Sequence, residues 1–128
     1  MKGLKLKVRI IPMPFEDAEF IGKVINYVQI QFFMKDLIEV EKGWYYYGKN
    51  GLDAQTCDLL LFQMDNTIIA SAVLNDIILF SKLTIEGNNG AYVVNKQSVK
   101  IFKPIDKNEL QKIIKSFKHF SHTMQKFD

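Results

Sequence analysis

Two apolar runs separated by only two residues constrain the fold of this chain more than any other feature. Residues 58–64 read DLLLFQM, residues 67–74 read TIIASAVL, and Asp65 and Asn66 lie between them. Asp and Asn tolerate the backbone conformations that a two-residue turn requires, so the pattern predicts a tight antiparallel β-hairpin. We expect the second arm to resume at residues 77–80 after a bulge or bend.

The periodicity of apolar residues predicts the elements on either side of this hairpin. Residues 4–11 alternate apolar and cationic side chains, which indicates a half-buried strand with a cationic outer face that includes Arg9. From about residue 17 the apolar residues follow helical spacing, which predicts a long amphipathic helix that ends before Glu41. The aromatic residues 44–47 favour a short strand.

The last third of the chain predicts two further strands and a second helix. Residues 91–94 and 98–102 are expected to be strands, with a turn at 95–97. Asp106 and Glu109 have the spacing of a helix-capping pair, and an apolar stripe after them continues to Phe120. The resulting order, β-α-β-β-β-β-β-α, predicts an α+β domain with one mainly antiparallel sheet.

Composition narrows the class of protein but not its function. The chain has 128 residues, 48% hydrophobic and 24% charged, which fits a single folded domain over residues 1–128 and excludes a disordered chain. Arg9 is the only arginine among 17 basic residues. Because guanidinium groups are preferred for reading guanine edges, this argues against a conventional major-groove reader, although a biased genome would also favour lysine.

Positive charge is concentrated in the last quarter of the chain. Residues 95–128 contain eight lysines and three acidic residues, a balance of +5 within a total of only +3. A basic face of this kind attracts phosphate backbones, and an ordinary solvated helix surface is the equally weighted alternative.

Cysteine, histidine and N-terminal patterns give little sign of metal, redox or membrane chemistry. Cys57 is the only cysteine, so an internal disulfide is excluded, and we expect it to be a small buried side chain. His119 and His122 are three residues apart but lack neighbouring ligands, so we expect no metal and no cofactor. The N-terminal residues lack the apolar stretch of a signal peptide, which favours a cytoplasmic protein without membrane contact.

Four consecutive aromatic residues are the strongest candidates for a binding function. In an extended strand Trp44 and Tyr46 point to one face, and Tyr45 and Tyr47 point to the other. One pair can fill the core, and the second can stack on a flat ligand such as an unpaired base, beside the glycine-containing residues 48–51. Core packing plus an ordinary exposed tyrosine is the alternative.

The segment CDLLLFQMDNTIIASAVL, residues 57–74, resembles the central hairpin of PUA-like domains, the group that includes ASCH and EVE domains. In those domains a Gly-Asp-apolar strand precedes a tight turn, and here Cys57 stands in place of the glycine. The aromatic-glycine stretch 44–51 resembles the pocket-forming part of EVE-type members. Downstream, residues 90–92, 99–104 and 117–127 are similar to PUA-like domains associated with restriction endonucleases. The resemblance is strongest over residues 43–128.

The resemblance implies a small, partly open, mixed and mainly antiparallel β-barrel with a long helix after the first strand and a C-terminal helix. It also implies a non-catalytic nucleic-acid-binding module that accommodates an unpaired or modified base in an aromatic pocket, with single-stranded or modified nucleic acid as its partner. The nucleic-acid-binding residues are then expected to be Trp44, Tyr46, Tyr47, Lys49, Asp58 and Tyr92.

Two alternatives remain open from the sequence. A small ASCH-like hydrolase acting on a nucleoside or nucleic acid would need an acid, a lysine and a hydroxyl group together, for which Asp58, Lys49 and Thr67 are the candidates. A homodimeric protein-interaction module would instead bury Tyr45 or Tyr47 at a symmetric contact.

Overall fold

The computed structural model describes residues 7–13, 20, 22–47, 54–82 and 88–127, which contain seven strands and two main helices. The strands are β1 (Val8–Pro12), β2 (Trp44–Tyr47), β3 (Leu59–Met64), β4 (Thr67–Leu79), β5 (Gly90–Val94), β6 (Lys100–Ile105) and β7 (Gln125–Phe127). Helix α1 begins with an α-helical turn, Ile25–Tyr27, and continues as a π-helix, Val28–Val40. Helix α2 is Lys107–Ile113, and a short 3-10 turn, Lys96–Ser98, lies between β5 and β6.

The predicted hairpin is formed by β3 and β4. Met64 pairs with Thr67, and the two residues between them have positive φ angles of 51° at Asp65 and 56° at Asn66. Two consecutive positive φ angles are the mark of a two-residue turn whose twist matches that of the strands. The Thr67 hydroxyl donates a hydrogen bond of 2.7 Å to the Met64 carbonyl and holds the turn.

The strands form one mixed sheet in the order β2-β5-β4-β3-β1-β7, and β6 pairs with β4. Strand β1 is parallel to β3, and the other pairings are antiparallel. The α+β class and the mainly antiparallel sheet are therefore confirmed. Among the described residues no pairing joins β2 to β7, the two ends of this order, so the sheet is open and the predicted barrel is not observed.

A bulge divides strand β4 into two parts. Its first part pairs with β3 and β6, and its second part pairs with β5. Its pairing with β5 changes register between Leu74 and Asp76, where the sequence predicted a bulge or bend. The segment between β5 and β6 stays beside β4, since Asn95 donates to the Val73 carbonyl and Ser98 accepts from the Val73 amide. Strands β5 and β6 thus follow the same edge of β4 and do not pair with each other as a hairpin.

Helix α1 begins later than the sequence pattern indicated. Residue 24 is extended, residues 14–19 and 21 lie outside the described residues, and the helix starts at Ile25. From Val28 onward the helix has i→i+5 hydrogen bonds, and its buried residues are Val28, Gln29, Phe32, Phe33 and Leu37. This face packs on the sheet and forms the main core with residues of β3, β4 and β5.

Helix α2 is shorter than expected, and a strand follows it. Asp106 caps it as predicted, because its carboxylate accepts a hydrogen bond of 2.9 Å from the Glu109 amide. The chain becomes extended at Ile114, and Phe117 and Phe120 pack edge to face at 4.9 Å outside any helix. The apolar stripe to Phe120 therefore covers a second core as irregular chain, and β7 then pairs with β1.

Among the residues that the structure describes, none of the helices is both long enough and apolar enough to cross a membrane.

Candidate functional site

Three aromatic side chains form a surface cluster on one face of the sheet, here called the outer aromatic face: Trp44, Tyr46 and Phe80. The ring centroids of Trp44 and Tyr46 are 6.2 Å apart, and those of Tyr46 and Phe80 are also 6.2 Å apart. Tyr46 is 39% exposed, and the other two are half-buried. The outer aromatic face is thus a partly accessible row of rings.

Strand register explains why these three rings meet. Tyr46 pairs with Ala91, and Ala91 pairs with Ile78 on the other side of β5. Paired residues share a face, and Phe80 shares the face of Ile78 because it follows two residues later. The sequence-based candidates did not include Phe80, because residues 77–80 are all apolar and do not indicate which face Phe80 lies on.

The alternate residues of β2 point to the opposite, inner face. Tyr45 is only 4% exposed, and its ring centroid is 4.9 Å from that of Phe62, so Tyr45 fills the core. The ring centroids of Tyr47 and Tyr92 are 5.3 Å apart, and Tyr92 is 3% exposed. The Tyr92 hydroxyl donates to the Met124 sulfur at 3.5 Å. The structure therefore divides the predicted aromatic set, with Trp44 and Tyr46 on one face and Tyr47 and Tyr92 on the other.

The inner tyrosine hydroxyls remain protonated near neutral pH. Burial raises the pKa of Tyr47. Burial is also the main cause that raises the pKa of Tyr92, and electrostatic repulsion from Tyr47 is the second cause. The buried Tyr47 hydroxyl has no hydrogen-bond partner among the described residues. It lies over Gly90, where an added Cβ would collide with this hydroxyl and with the Ile78 carbonyl, so the close approach requires glycine.

Asp58 lies in a buried ion pair with the single arginine. The distance from Arg9 Nε to Asp58 Oδ2 is 3.6 Å, and the two side chains are 6% and 5% exposed. The same Asp58 oxygen accepts a hydrogen bond of 2.7 Å from the Gln55 amide. Arg9 also donates to the Val8 carbonyl at 3.0 Å. The expectation that Arg9 faces solvent is wrong, because its side chain is buried against the carboxylate of Asp58, which immediately precedes β3.

The pair gives Asp58 a clear structural role in holding the turn before β3 against β1. Among the described residues, no hydrogen bond or ring contact joins it to either aromatic group. Lys49, the remaining predicted binding residue, lies outside the described residues.

Cys57 is exposed, which corrects the expectation of a buried thiol. Its backbone has a φ of 77°, a left-handed conformation that favours glycine. This is the position at which the resembled domains carry glycine. In this chain the turn therefore has a backbone conformation that favours glycine, but the residue is a cysteine.

Two of the three candidates for hydrolysis, Asp58 and Thr67, lie far apart in the structure. Asp58 precedes β3, whereas Thr67 follows the turn at the other end of the same strand. A strand of this length separates them by roughly 20 Å, far beyond hydrogen-bond reach. Thr67 already donates to Met64, and Lys49 is outside the described residues. The described part of the chain contains no group of three metal-ligating side chains either.

The basic last quarter is exposed as the charge pattern predicted. All eight of its lysines are solvent-exposed: Lys96, Lys100, Lys103, Lys107, Lys112, Lys115, Lys118 and Lys126. They extend from the 3-10 turn through β6 and α2 to β7. Positive charge is therefore available on the surface over a large part of the domain.

Comparison with known proteins identifies the fold. No family model and no curated protein matches the sequence. Among solved structures, the crystal structure of ASCH from Zymomonas mobilis is similar to this chain, with a TM-score of 0.53 and 12% sequence identity. The similarity covers 94% of this chain and 87% of the other. This confirms the resemblance at the level of the fold, and the chain therefore shares the fold of this ASCH structure.

Proposed function

We propose that this protein is a non-catalytic nucleic-acid-binding module that stacks an unpaired base on the outer aromatic face. The observation that carries the proposal is the row of Trp44, Tyr46 and Phe80 rings, partly exposed on a sheet whose opposite face forms the core. Stacking on aromatic rings suits every base, because every base has a flat π surface.

The surface charge supports the same function. Eight exposed lysines supply phosphate contacts, and contacts of this kind make binding weaken as salt rises. Arg9, the single arginine, forms a buried ion pair with Asp58. Phosphate contact would therefore depend on lysine rather than on bidentate guanidinium groups. Such binding follows shape and charge more than sequence.

A narrower version of the proposal assigns a modified base to the inner tyrosines. Tyr47 and Tyr92 adjoin each other, and the Tyr47 hydroxyl is a buried donor without a partner in the described region. Asp58 is not part of this version because it pairs with Arg9, and Lys49 lies outside the described residues. Tyr47→Phe separates the two versions, because it removes the hydroxyl and leaves the outer aromatic face intact.

The single tryptophan makes a direct test simple, since all tryptophan fluorescence comes from Trp44. We expect single-stranded RNA or DNA oligonucleotides to quench this fluorescence, and we expect the affinity to fall as salt rises. Tyr46→Ala should weaken binding by about 1–3 kcal/mol, while Tyr46→Phe keeps the ring and should bind normally.

Tyr27→Ala is the matched control, because Tyr27 is an exposed tyrosine on α1, 47% exposed. Equal effects of Tyr27→Ala and Tyr46→Ala would contradict the proposal. A fluorescence change that depends only on protein concentration would identify the outer aromatic face as a homodimer contact instead. RNA and DNA oligonucleotides, with and without modified bases, distinguish the classes of ligand.

A further inference from the structure

A groove opens between the first turn of α1 and strand β6. It has a volume of about 580 Å³, within the range of about 300–1,000 Å³ that is typical of small-molecule sites. Ile25, Ile101 and Pro104 supply apolar walls, while Asn26 and Lys103 are exposed polar residues at the same groove. The groove thus combines apolar surface with a few polar groups, as ligand sites do.

The buried side chain of Gln29 lines this groove, and its carboxamide oxygen can accept a hydrogen bond from a ligand. Gln29 is only 6% exposed, and its Nε2 donates to the carbonyls of Ile69 at 2.9 Å and Phe102 at 2.7 Å. These two bonds use both amide hydrogens and fix the orientation of the group, because a flipped amide would place oxygen against two carbonyls. Within the described residues, the Gln29 Oε1 receives no hydrogen bond.

The charge of the groove complements an anionic ligand. Of the described residues that line it, Lys103 alone is charged. Lys100 and Lys107 are exposed nearby on either side of Lys103 along the chain, and Asp106 is the exposed acidic residue next to Lys107. A ligand that suits the site therefore joins a flat apolar body with an N–H donor to a negative group.

We propose that this groove binds one nucleotide unit, with the base against the apolar walls, a base N–H donating to Gln29 Oε1, and the phosphate near Lys103. The inference deepens the proposed function by adding a second base-binding position on the same domain. The groove and the outer aromatic face are separate positions, because α1 packs on the inner face of the sheet and the rings lie on the opposite face.

The test is a heteronuclear NMR titration with the four ribonucleoside monophosphates and with ribose phosphate as the base-free probe. We expect the Gln29 side-chain amide and the amides of β6 to shift with nucleotides and much less with ribose phosphate. Lys103→Gln should weaken nucleotide binding about tenfold, because it removes a charge-assisted contact. Lys112→Gln is the matched control, since it removes an exposed lysine of α2 that does not line the groove. Asn26→Trp should fill the groove and abolish the shifts.

Equal shifts with ribose phosphate, or equal losses from Lys103→Gln and Lys112→Gln, would overturn the inference. Oligonucleotide binding separates it from the proposed function. If Tyr46→Ala weakens oligonucleotide binding and Asn26→Trp has no effect on either ligand, the groove inference fails and the outer aromatic face stands. If nucleotides shift β6 and Tyr46→Ala leaves oligonucleotide binding unchanged, the outer aromatic face fails and the groove stands.

Discussion

Replacing Cys57 by glycine should stabilise this protein, although the substitution removes a side chain. Cys57 has a φ of 77° and is exposed, so its Cβ lies in an unfavourable backbone conformation and its thiol contributes little burial. A non-glycine residue in the left-handed region typically carries about 1–2 kcal/mol of strain. Glycine relieves this strain, and the Cys57 amide can still donate its 2.7 Å hydrogen bond to the Leu74 carbonyl.

The gain in unfolding free energy is smaller than the strain energy, because glycine also increases the conformational entropy of the unfolded chain. That entropy lowers stability by about 0.5–1 kcal/mol, which leaves a net increase in the unfolding free energy of about 0.5–1 kcal/mol. A domain of this size should then melt about 2–4 °C higher. Denaturant unfolding followed by Trp44 fluorescence measures the change directly.

Cys57→Ala is the control for loss of the thiol, because alanine keeps the Cβ and therefore the strain. We expect its unfolding free energy to stay within about 0.5 kcal/mol of the original protein. Cys57→Asn should fall between the two, since asparagine tolerates positive φ better than most residues. A glycine variant less stable than the alanine variant would refute the argument that the backbone at this turn is strained.

Three further substitutions test other parts of the structure. Asp58→Ala should lower the unfolding free energy by about 3–5 kcal/mol in denaturant titrations, because it leaves the buried Arg9 charge without its carboxylate. Gly43→Ala should lower it by about 2 kcal/mol or more, because φ is 88° and a Cβ would approach a β5 carbonyl oxygen to 2.8 Å. Stability should decline as pH rises above about 10, where unfolded tyrosines ionise while raised pKa values keep Tyr92 and Tyr47 protonated in the fold. Tyr92→Phe should reduce that decline when unfolding free energies at neutral and alkaline pH are compared.

Local signals in the sequence were sufficient for the elements that are held by near neighbours. The Asp65-Asn66 turn joins strands that are adjacent in sequence, and Asp106 caps a helix three residues away. Both features depend on chain geometry over a few residues, so a single sequence reveals them.

The errors arose where a residue's environment comes from distant parts of the chain. The alternating pattern predicted that Arg9 faces solvent, because its partner, Asp58, is 49 residues away in sequence, immediately before β3. The stripe to Phe120 looked helical because periodicity does not distinguish a helix from irregular chain that packs with Phe127 and the second core. The division of the aromatic run into two faces was predictable, but the addition of Phe80 to Tyr46 required the register across β5.

The pairing of β1 with β7 has a consequence for how the chain folds. Strand β1, near the beginning, lies between β3 and β7, and Val8 pairs with Phe127 near the end. This half of the sheet is therefore assembled by contacts between residues far apart in sequence, which slow folding because long loops must close first. The β3–β4 hairpin can form early from local contacts, whereas β1 can gain its second neighbour only after residues 125–127 have been synthesised.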